Sequence, residues 1–213
     1  MDAPGGYLLD LDGTLYHGGA AIPGAVQLLT ELRRRGTPFR LVTNTTTRSR
    51  AALVDRLVGY GFEARAEEIF TATLAGVSLL GAVGYRSIAP FVPAGALEDM
   101  GGLALSRDRF WRQGHRLTLD AGPFVAALEF ASGKAAAVAG KPSAAFYASA
   151  VASLGVPASS VAMVGDDLWS DVEGAQRAGL QGWLVRTGKF REDHLRHAAV
   201  TPDRILASVA ELL

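Results

Sequence analysis

Four small groups of polar residues interrupt the apolar stretches of this 213-residue chain, and together they hold the side chains that reactions at phosphorus require. The first is Asp10 and Asp12, which close the run Tyr7-Leu8-Leu9 and precede Gly13 and Thr14. On an extended strand, side chains two residues apart point the same way, so both carboxylates can project from one strand end. The second is Thr43-Asn44 after residues 39–42, the third Lys141 within Gly140-Lys141-Pro142, and the fourth Asp166-Asp167 with Asp171 after residues 161–164. Paired carboxylates can divide the labour of nucleophile, metal ligand and proton carrier. That many carboxylates repel one another unless a cation sits among them, and hard oxygen ligands with no histidine or cysteine nearby suit Mg²⁺. The Thr43 hydroxyl and the Lys141 ammonium suit phosphoryl oxygens as charge builds up in transfer. Taken singly, each group also has an ordinary reading as an Asp-Gly turn, a helix cap, or an acidic helix start. Their joint occurrence at successive strand ends carries the chemical signal.

The elements that must position them alternate along the chain. After the opening strand, residues 16–22 read as a loop around Gly18 and Gly19, and a helix starting at Pro23 carries Val26, Leu29 and Leu32 to a stop at Gly36. Arg33, Arg34 and Arg35 fall in its last turn, where cations suit the helix dipole. A strand over 39–42 follows, then a helix with Leu53, Leu57 and Val58, and then the stretch 67–80, which contains Ile69 and another apolar helix ending at Gly81. Residues 81–120 are rich in Gly and Pro, with strand-like pieces at 86–92 and 116–119. The rhythm resumes with a helix over 124–130 and a strand over 135–138. Pro142 then opens a helix bearing Phe146, Ala150, Val151 and Leu154. A strand over 161–164, a helix around 171–178, a strand over 183–185 and a closing helix over 202–213 complete the chain. Strands alternating with helices imply an α/β fold with a doubly wound, mostly parallel sheet covered on both faces. The expected core is discontinuous, 1–80 and 121–213, with 81–120 as a small, truncated cap insertion. The C-terminal strand ends of a parallel sheet share one edge, so the four polar groups converge there.

Composition narrows the partners. Lys plus Arg and Asp plus Glu number 21 each, giving zero formal charge and no long basic run, so nucleic acid has no electrostatic purchase. The absence of cysteine excludes disulfides and thiolate metal sites. No apolar run approaches a membrane span, and the N-terminus lacks a signal pattern, which leaves a soluble, cytoplasmic protein as the expectation.

The residues that carry the chemistry resemble the haloacid dehalogenase (HAD) superfamily of phosphohydrolases: Asp10-Leu11-Asp12-Gly13-Thr14, then Thr43, then Lys141, then Gly165-Asp166 with Asp171. Val42-Thr43-Asn44, Gly122-Pro123-Phe124-Val125, Gly140-Lys141-Pro142-Ser143, Gly165-Asp166-Asp167 and Val185-Arg186-Thr187-Gly188-Lys189-Phe190 resemble its subfamily IIA, the branch of the phospholysine, phosphohistidine and inorganic pyrophosphate phosphatases. The likeness covers roughly 7–80 and 117–195. It implies that Asp10 attacks phosphorus to form an aspartyl-phosphate, and that Asp12 protonates the leaving group and then activates water. It further implies that Mg²⁺ is held by Asp10, the backbone carbonyl of Asp12 and Asp166, with Asp171 or Asp167 in support. Thr43, Asn44 and Lys141 would grip the phosphoryl group. The second acid, Asp12, sets the chain apart from the halide-removing members.

The departure is the cap. Relatives of this branch insert a substantial α/β lid between the second and third motifs, and the stretch between Thr43 and Lys141 is too short for it, with the deletion expected between about 92 and 108. A reduced lid excludes less water and contacts the leaving group less. A small phosphorylated substrate and a phosphoprotein both fit that expectation. Apolar residues uncovered by the loss, Trp111 and Phe91 among them, would favour a homodimer. Two competing classes are a signalling receiver and a catalytically weak or inactive phosphate- or protein-binding homologue. A receiver keeps its acidic pair near the N-terminus and its phosphoacceptor on a middle strand, the reverse of this order. An inactive homologue is at odds with the presence of every catalytic residue type.

Overall fold

The computed structural model describes residues 3–83, 110–113, 116–119, 121–132, 136 and 138–213. Strand β1 (Gly6–Asp10) leads into a two-residue-per-arm hairpin of β2 (Tyr16–His17) and β3 (Ala20–Ala21), then helix α1 (Ala25–Arg35) and strand β4 (Phe39–Thr43). Helix α2 (Arg50–Gly59), strand β5 (Ile69–Thr71) and helix α3 (Ala72–Val83) follow. The second half brings β6 (Phe110–Gln113) and β7 (Arg116–Leu119), helices α4 (Ala121–Ser132) and α5 (Ala144–Ala152), and strands β8 (Val161–Gly165), β9 (Gln181–Val185) and β10 (Arg204–Leu206).

Six strands form one sheet in the order β10-β9-β8-β1-β4-β5, and every pairing in it is parallel. The chain winds outward from β1 through β4 and β5, then returns to β1's other side to lay down β8, β9 and β10. The order therefore reverses between β1 and β8, and a crevice opens beyond the carboxyl ends of strands at such a switch point. All five residues of β1 and all five of β8 are buried, as expected of central strands with helices on both faces.

Strand parity sorts the core. Tyr7, Leu9, Phe39, Leu41, Ala162 and Val164 pack with Leu28, Leu29 and Leu32 of α1 and Leu53 and Leu57 of α2. Leu8, Val42 and Met163 face the other way, onto Phe146, Tyr147, Ala150 and Val151 of α5. Each leucine buried this completely contributes roughly 1.5–3 kcal/mol relative to exposure. Asp10 shares Leu8's parity and so emerges on the α5 side. Helix α1 ends as its sequence suggests, at Gly36 in the left-handed conformation with Arg33, Arg34 and Arg35 in the last turn.

Several elements depart from the sequence reading. The loop over 16–22 holds the β2–β3 hairpin, whose antiparallel pairing Tyr16 with Ala21 and His17 with Ala20 is too short to show as alternation. The stretch 67–80 resolves into the edge strand β5, which holds Ile69, and the helix α3 after it, which runs on to Val83. Pro142 lies before the helix, whose N-cap is Ser143, its side chain accepting from Phe146 N. Ala136 and Val138 lie in no regular element, so no strand is seen at the described positions of 135–138. The C-terminal segment is not one helix but strand β10 followed by a 3-10 turn, Val209–Leu212. Within the expected insertion, β6 and β7 pair as an antiparallel hairpin. The expected strand at 86–92, the deletion point and Phe91 lie outside the described residues, as does the Trp111 side chain. Among the described residues no helix is long and apolar enough to cross a membrane.

Candidate active site

The carboxyl ends of β1, β4 and β8 bring the sequence-predicted residues to one edge. Asp10 closes β1 opposite Val42 of β4, and Thr43 stands one residue further on. Leu9 pairs with Val164, so Asp166 stands just beyond the end of β8, next to Asp10's strand. Lys141 comes from a loop distant in sequence. Asn44 secures that loop with both ends of its amide: its Nδ2 donates to the Lys141 carbonyl at 2.9 Å, and its Oδ1 accepts from Lys141 N at 2.8 Å.

Lys141 is the electrostatic centre. Its ammonium donates to Asp10 Oδ1 at 2.5 Å and to Asp171 Oδ1 at 2.7 Å, with all three side chains buried. Carboxylate oxygens of Asp10, Asp166 and Asp171 all lie within 4.8 Å of one another. Three buried carboxylates against one ammonium leave an excess of negative charge, and the proton equilibria respond. Burial raises the Asp10 carboxyl above its ordinary value, against the pull of Lys141. Burial, reinforced by Asp10 and Asp171, holds Asp166 well above it. Burial pushes Asp171 up to about 7, again against Lys141 and with help from Asp10. Lys141 itself stays firmly protonated despite burial, because Asp10 and Asp171 face it.

A divalent cation fits this donor set. Asp171 has both oxygens occupied, Oδ1 by Lys141 and Oδ2 by Asp167 N at 3.0 Å. Asp10 Oδ2 and Asp166 Oδ1, by contrast, have no hydrogen-bond donor among the described residues, since Lys141 takes Asp10 Oδ1 and Lys189 N takes Asp166 Oδ2. An all-oxygen set with surplus negative charge matches the preference of Mg²⁺. Glycines clear the space: a Cβ added at Gly13 or Gly188 would overlap Asp166 Oδ2, and one at Gly165 would overlap Asp171 Oδ2.

Asp12 and Asp167 stand outside this carboxylate cluster. Asp12 is exposed, its side chain 69% accessible, with His17 Nδ1 of the β2–β3 hairpin 3.7 Å away. Asp167 caps the following turn, its Oδ1 accepting from Trp169 N and Ser170 N at 3.0 Å each. Although burial opposes it, Lys189 and those two amides hold the Asp167 carboxyl below its ordinary value. The helix expected around 171–178 starts earlier, as a π-helical turn over Leu168–Glu173, and Asp171 lies on that turn with its Oδ1 2.7 Å from the Lys141 ammonium. Thr43 Oγ1 accepts from Thr45 N at 3.0 Å.

A scan against family models matches residues 7–102 to the haloacid dehalogenase-like hydrolases and residues 138–212 to a HAD-hydrolase-like family. Over 97% of its length the chain is 33% identical to human phospholysine phosphohistidine inorganic pyrophosphate phosphatase, covering 92% of that protein. It is 34% identical to bovine haloacid dehalogenase-like hydrolase domain-containing protein 2, over 86% of this chain and 85% of that one. The chain belongs to the haloacid dehalogenase-like hydrolases. With a relative named as a phosphatase matched over nearly all of its length, it is a phosphohydrolase. Its fold is that of the Archaeoglobus fulgidus p-nitrophenyl phosphatase, with a TM-score of 0.89 at 24% identity over 99% of this chain and 98% of the other.

Within this HAD-like hydrolase, three side chains at the site had no separate signal in the sequence. Tyr147 sits on an apolar helix face beside Phe146, yet its hydroxyl donates to the Ser170 carbonyl at 2.5 Å and lies 3.2 Å from that of Asp171. Thr187 and Lys189 stood out only as part of the resemblance to subfamily IIA, without a role.

Proposed function

We propose that this HAD-like hydrolase is a Mg²⁺-dependent phosphatase that works through an aspartyl-phosphate on Asp10. One observation carries the reading: the Lys141 ammonium bonds Asp10 and Asp171 at 2.5 and 2.7 Å while Asp166 completes a carboxylate triangle within 4.8 Å. A carboxylate beside a fixed ammonium is oriented for attack, and the same ammonium has a third N–H for a phosphoryl oxygen. In the first step an Asp10 oxygen forms a bond to phosphorus as the bond to the leaving group breaks, and Asp12 delivers a proton to the departing atom. In the second, Asp12 takes a proton from water, whose oxygen bonds to phosphorus as the bond to Asp10 breaks. Its exposed place beside the hairpin supports that traffic with solvent and with a leaving group.

Asp10, Asp166 and the Asp12 backbone carbonyl would hold Mg²⁺, with Asp171 in support, and the ion would supply positive charge to the phosphoryl oxygens. Thr43 and Lys141 bind the phosphoryl group. Asn44, whose amide is engaged with the Lys141 backbone, serves by holding that lysine in place. Asp167 acts as a cap rather than as a ligand.

The substrate is a phosphate ester, a phosphoramidate or a pyrophosphate, the last two on the strength of the human relative's name. The alignment to that relative runs over 247 positions, more than this chain's 213 residues, so the relative carries residues that this chain lacks. The short stretch between Thr43 and Lys141 supports the expectation of a reduced cap, which would admit bulky or protein-borne phosphate alongside small compounds. Steady-state turnover of p-nitrophenyl phosphate, phosphohistidine, phospholysine and pyrophosphate with Mg²⁺, and again with the metal chelated, tests the reading. Hydrolysis that collapses on chelation is expected. Equal rates with and without metal would refute it.

A further inference from the structure

The segment Thr187-Gly188-Lys189, between β9 and the short helix Glu192–His197, joins two parts of the site that are far apart in sequence. Thr187 Oγ1 donates to the Gly13 carbonyl, in the turn that follows Asp12. Two residues on, Lys189 N donates to Asp166 Oδ2 at 2.5 Å. Between them Gly188 takes a left-handed conformation, φ +56°, and a Cβ there would overlap Asp166 Oδ2 and come within 2.5 Å of Gly13 Cα. The reciprocal contact is also tight, since a Cβ on Gly13 would reach 3.0 Å from Gly188 Cα. Only glycine at both positions allows this approach. The Lys189 ammonium lies 3.4 Å from Asp167 Oδ2, so the same residue touches both acids of the Asp166-Asp167 pair.

We propose that Thr187-Gly188-Lys189 is a strap that positions the Mg²⁺ donors, locking the Asp12-Gly13-Thr14 turn to Asp166 so that their oxygens stand at a fixed separation. The strap rests on the metal site argued above and adds positioning residues to it. Lys189 N occupies Asp166 Oδ2 and so turns Oδ1 toward the shared space. Thr187 fixes the peptide immediately after the Asp12 carbonyl. Hydrogen bonds of this kind, one shell behind the ligands, typically govern metal affinity by about 10- to 100-fold.

The test is Mg²⁺ binding by isothermal titration calorimetry on the full chain, alongside kcat and KM on an aryl phosphate. Thr187→Val removes the hydroxyl donor and keeps the shape; it should weaken Mg²⁺ about 10-fold or more. Its metal-free melting temperature should stay near that of the unaltered protein, and KM for the phosphate should be little changed when Mg²⁺ is saturating. Thr187→Ser restores the donor and should return affinity to within about threefold. If Thr187→Val does not fold, Thr187→Ala removes the same donor without added bulk. Mg²⁺ affinity unchanged in whichever of the Val and Ala variants folds overturns the strap. An unaltered protein that binds and hydrolyses with Mg²⁺ while the variant matches it sinks the strap alone, whereas an unaltered protein that binds no Mg²⁺ sinks the metal reading as well.

Discussion

Two acids separated by one residue, Asp10 and Asp12, lie in opposite surroundings. The Asp10 side chain is 11% accessible, bonded to Lys141 and crowded by two other buried carboxylates. The Asp12 side chain is 69% accessible, and the partner it has, His17, sits at 3.7 Å on a hairpin of two residues per arm. The buried region is held from every side. Asn44 fixes Lys141, Tyr147 fixes the turn of Asp171, and Lys189 N fixes Asp166. On the exposed side it is the backbone that is anchored, by Gly13 N donating to the Tyr16 carbonyl at 2.8 Å and by Thr187 Oγ1 on the Gly13 carbonyl, with the Tyr16 ring tilted against Tyr60 at 5.3 Å, while the Asp12 carboxylate itself is left to solvent. The division suits the chemistry. Groups that must not move are desolvated and preorganised, where their fields are strongest. The group that must exchange protons with a leaving group and then with water stands where both can reach it.

Substitution at each acid should separate the two regions. Asp10→Asn removes the nucleophile and should lower kcat by about four orders of magnitude or more, with no phosphoenzyme trapped by acid quench. Rapid turnover by that variant would remove Asp10 from its role. Asp12→Asn should lower kcat by about 10²- to 10⁴-fold, and because the side chain is mostly in solvent its unfolding free energy should move by less than about 0.5 kcal/mol. Chemical denaturation measured beside single-turnover kinetics checks both halves. If the Asp12 variant unfolds markedly more easily, the Asp12 carboxylate supports the fold and is not left to solvent.

The contrast also explains what the sequence could disclose. The buried region was legible because chemistry at a strand end repeats a simple pattern: apolar run, polar residue, turn. Asp10, Thr43 and Asp166 could be named at strand ends of a parallel sheet. Lys141 could be named too, although the strand expected over 135–138 is not seen at its described positions and Asn44 holds its loop. What escaped depends on contacts between distant segments. A cap or acidic helix start is one ordinary reading of the Asp166-Asp167 group, but nothing in the sequence tells that Asn44 would spend its amide on the Lys141 backbone or that Asp171 would lie on a π-helical turn. The β2–β3 hairpin is too short for alternation to register, and β10 has only Leu206 buried among its three residues, so the apolar C-terminal stretch reads as helix.

Protons and metal compete for the buried oxygens, which gives a pH test confined to that region. Asp10, Asp166 and Asp171 all have carboxyls raised by burial, Asp171 to about 7. A raised carboxyl favours the folded state while it is protonated. That contribution is fully present below the ordinary value of 3.8 and is lost as pH rises through the folded value, about 7 for Asp171. Over the same window the ionised oxygens become available to Mg²⁺. The gain in melting temperature on adding Mg²⁺ should therefore be larger at about pH 8 than at about pH 5. Equal gains at the two values would contradict a metal held by these acids.

The smallest expected effect lies at the boundary between the regions. Thr14 is fully buried, and its Oγ1 has no hydrogen-bond partner among the described residues. Its backbone is nonetheless well placed, with the amide donating to the Leu11 carbonyl at 3.3 Å in the turn between Asp12 and Tyr16. A buried hydroxyl without a partner carries its desolvation penalty with no return, whereas a methyl group of the same shape would not. Thr14→Val should therefore hold stability level or raise it by about 1 kcal/mol, read as a shift in the denaturation midpoint of the metal-free protein. A loss of similar size would mean that the hydroxyl is engaged after all. The Thr14 side chain would then belong with the tightly held carboxylates, and the border between the two regions would move outward to the hairpin itself.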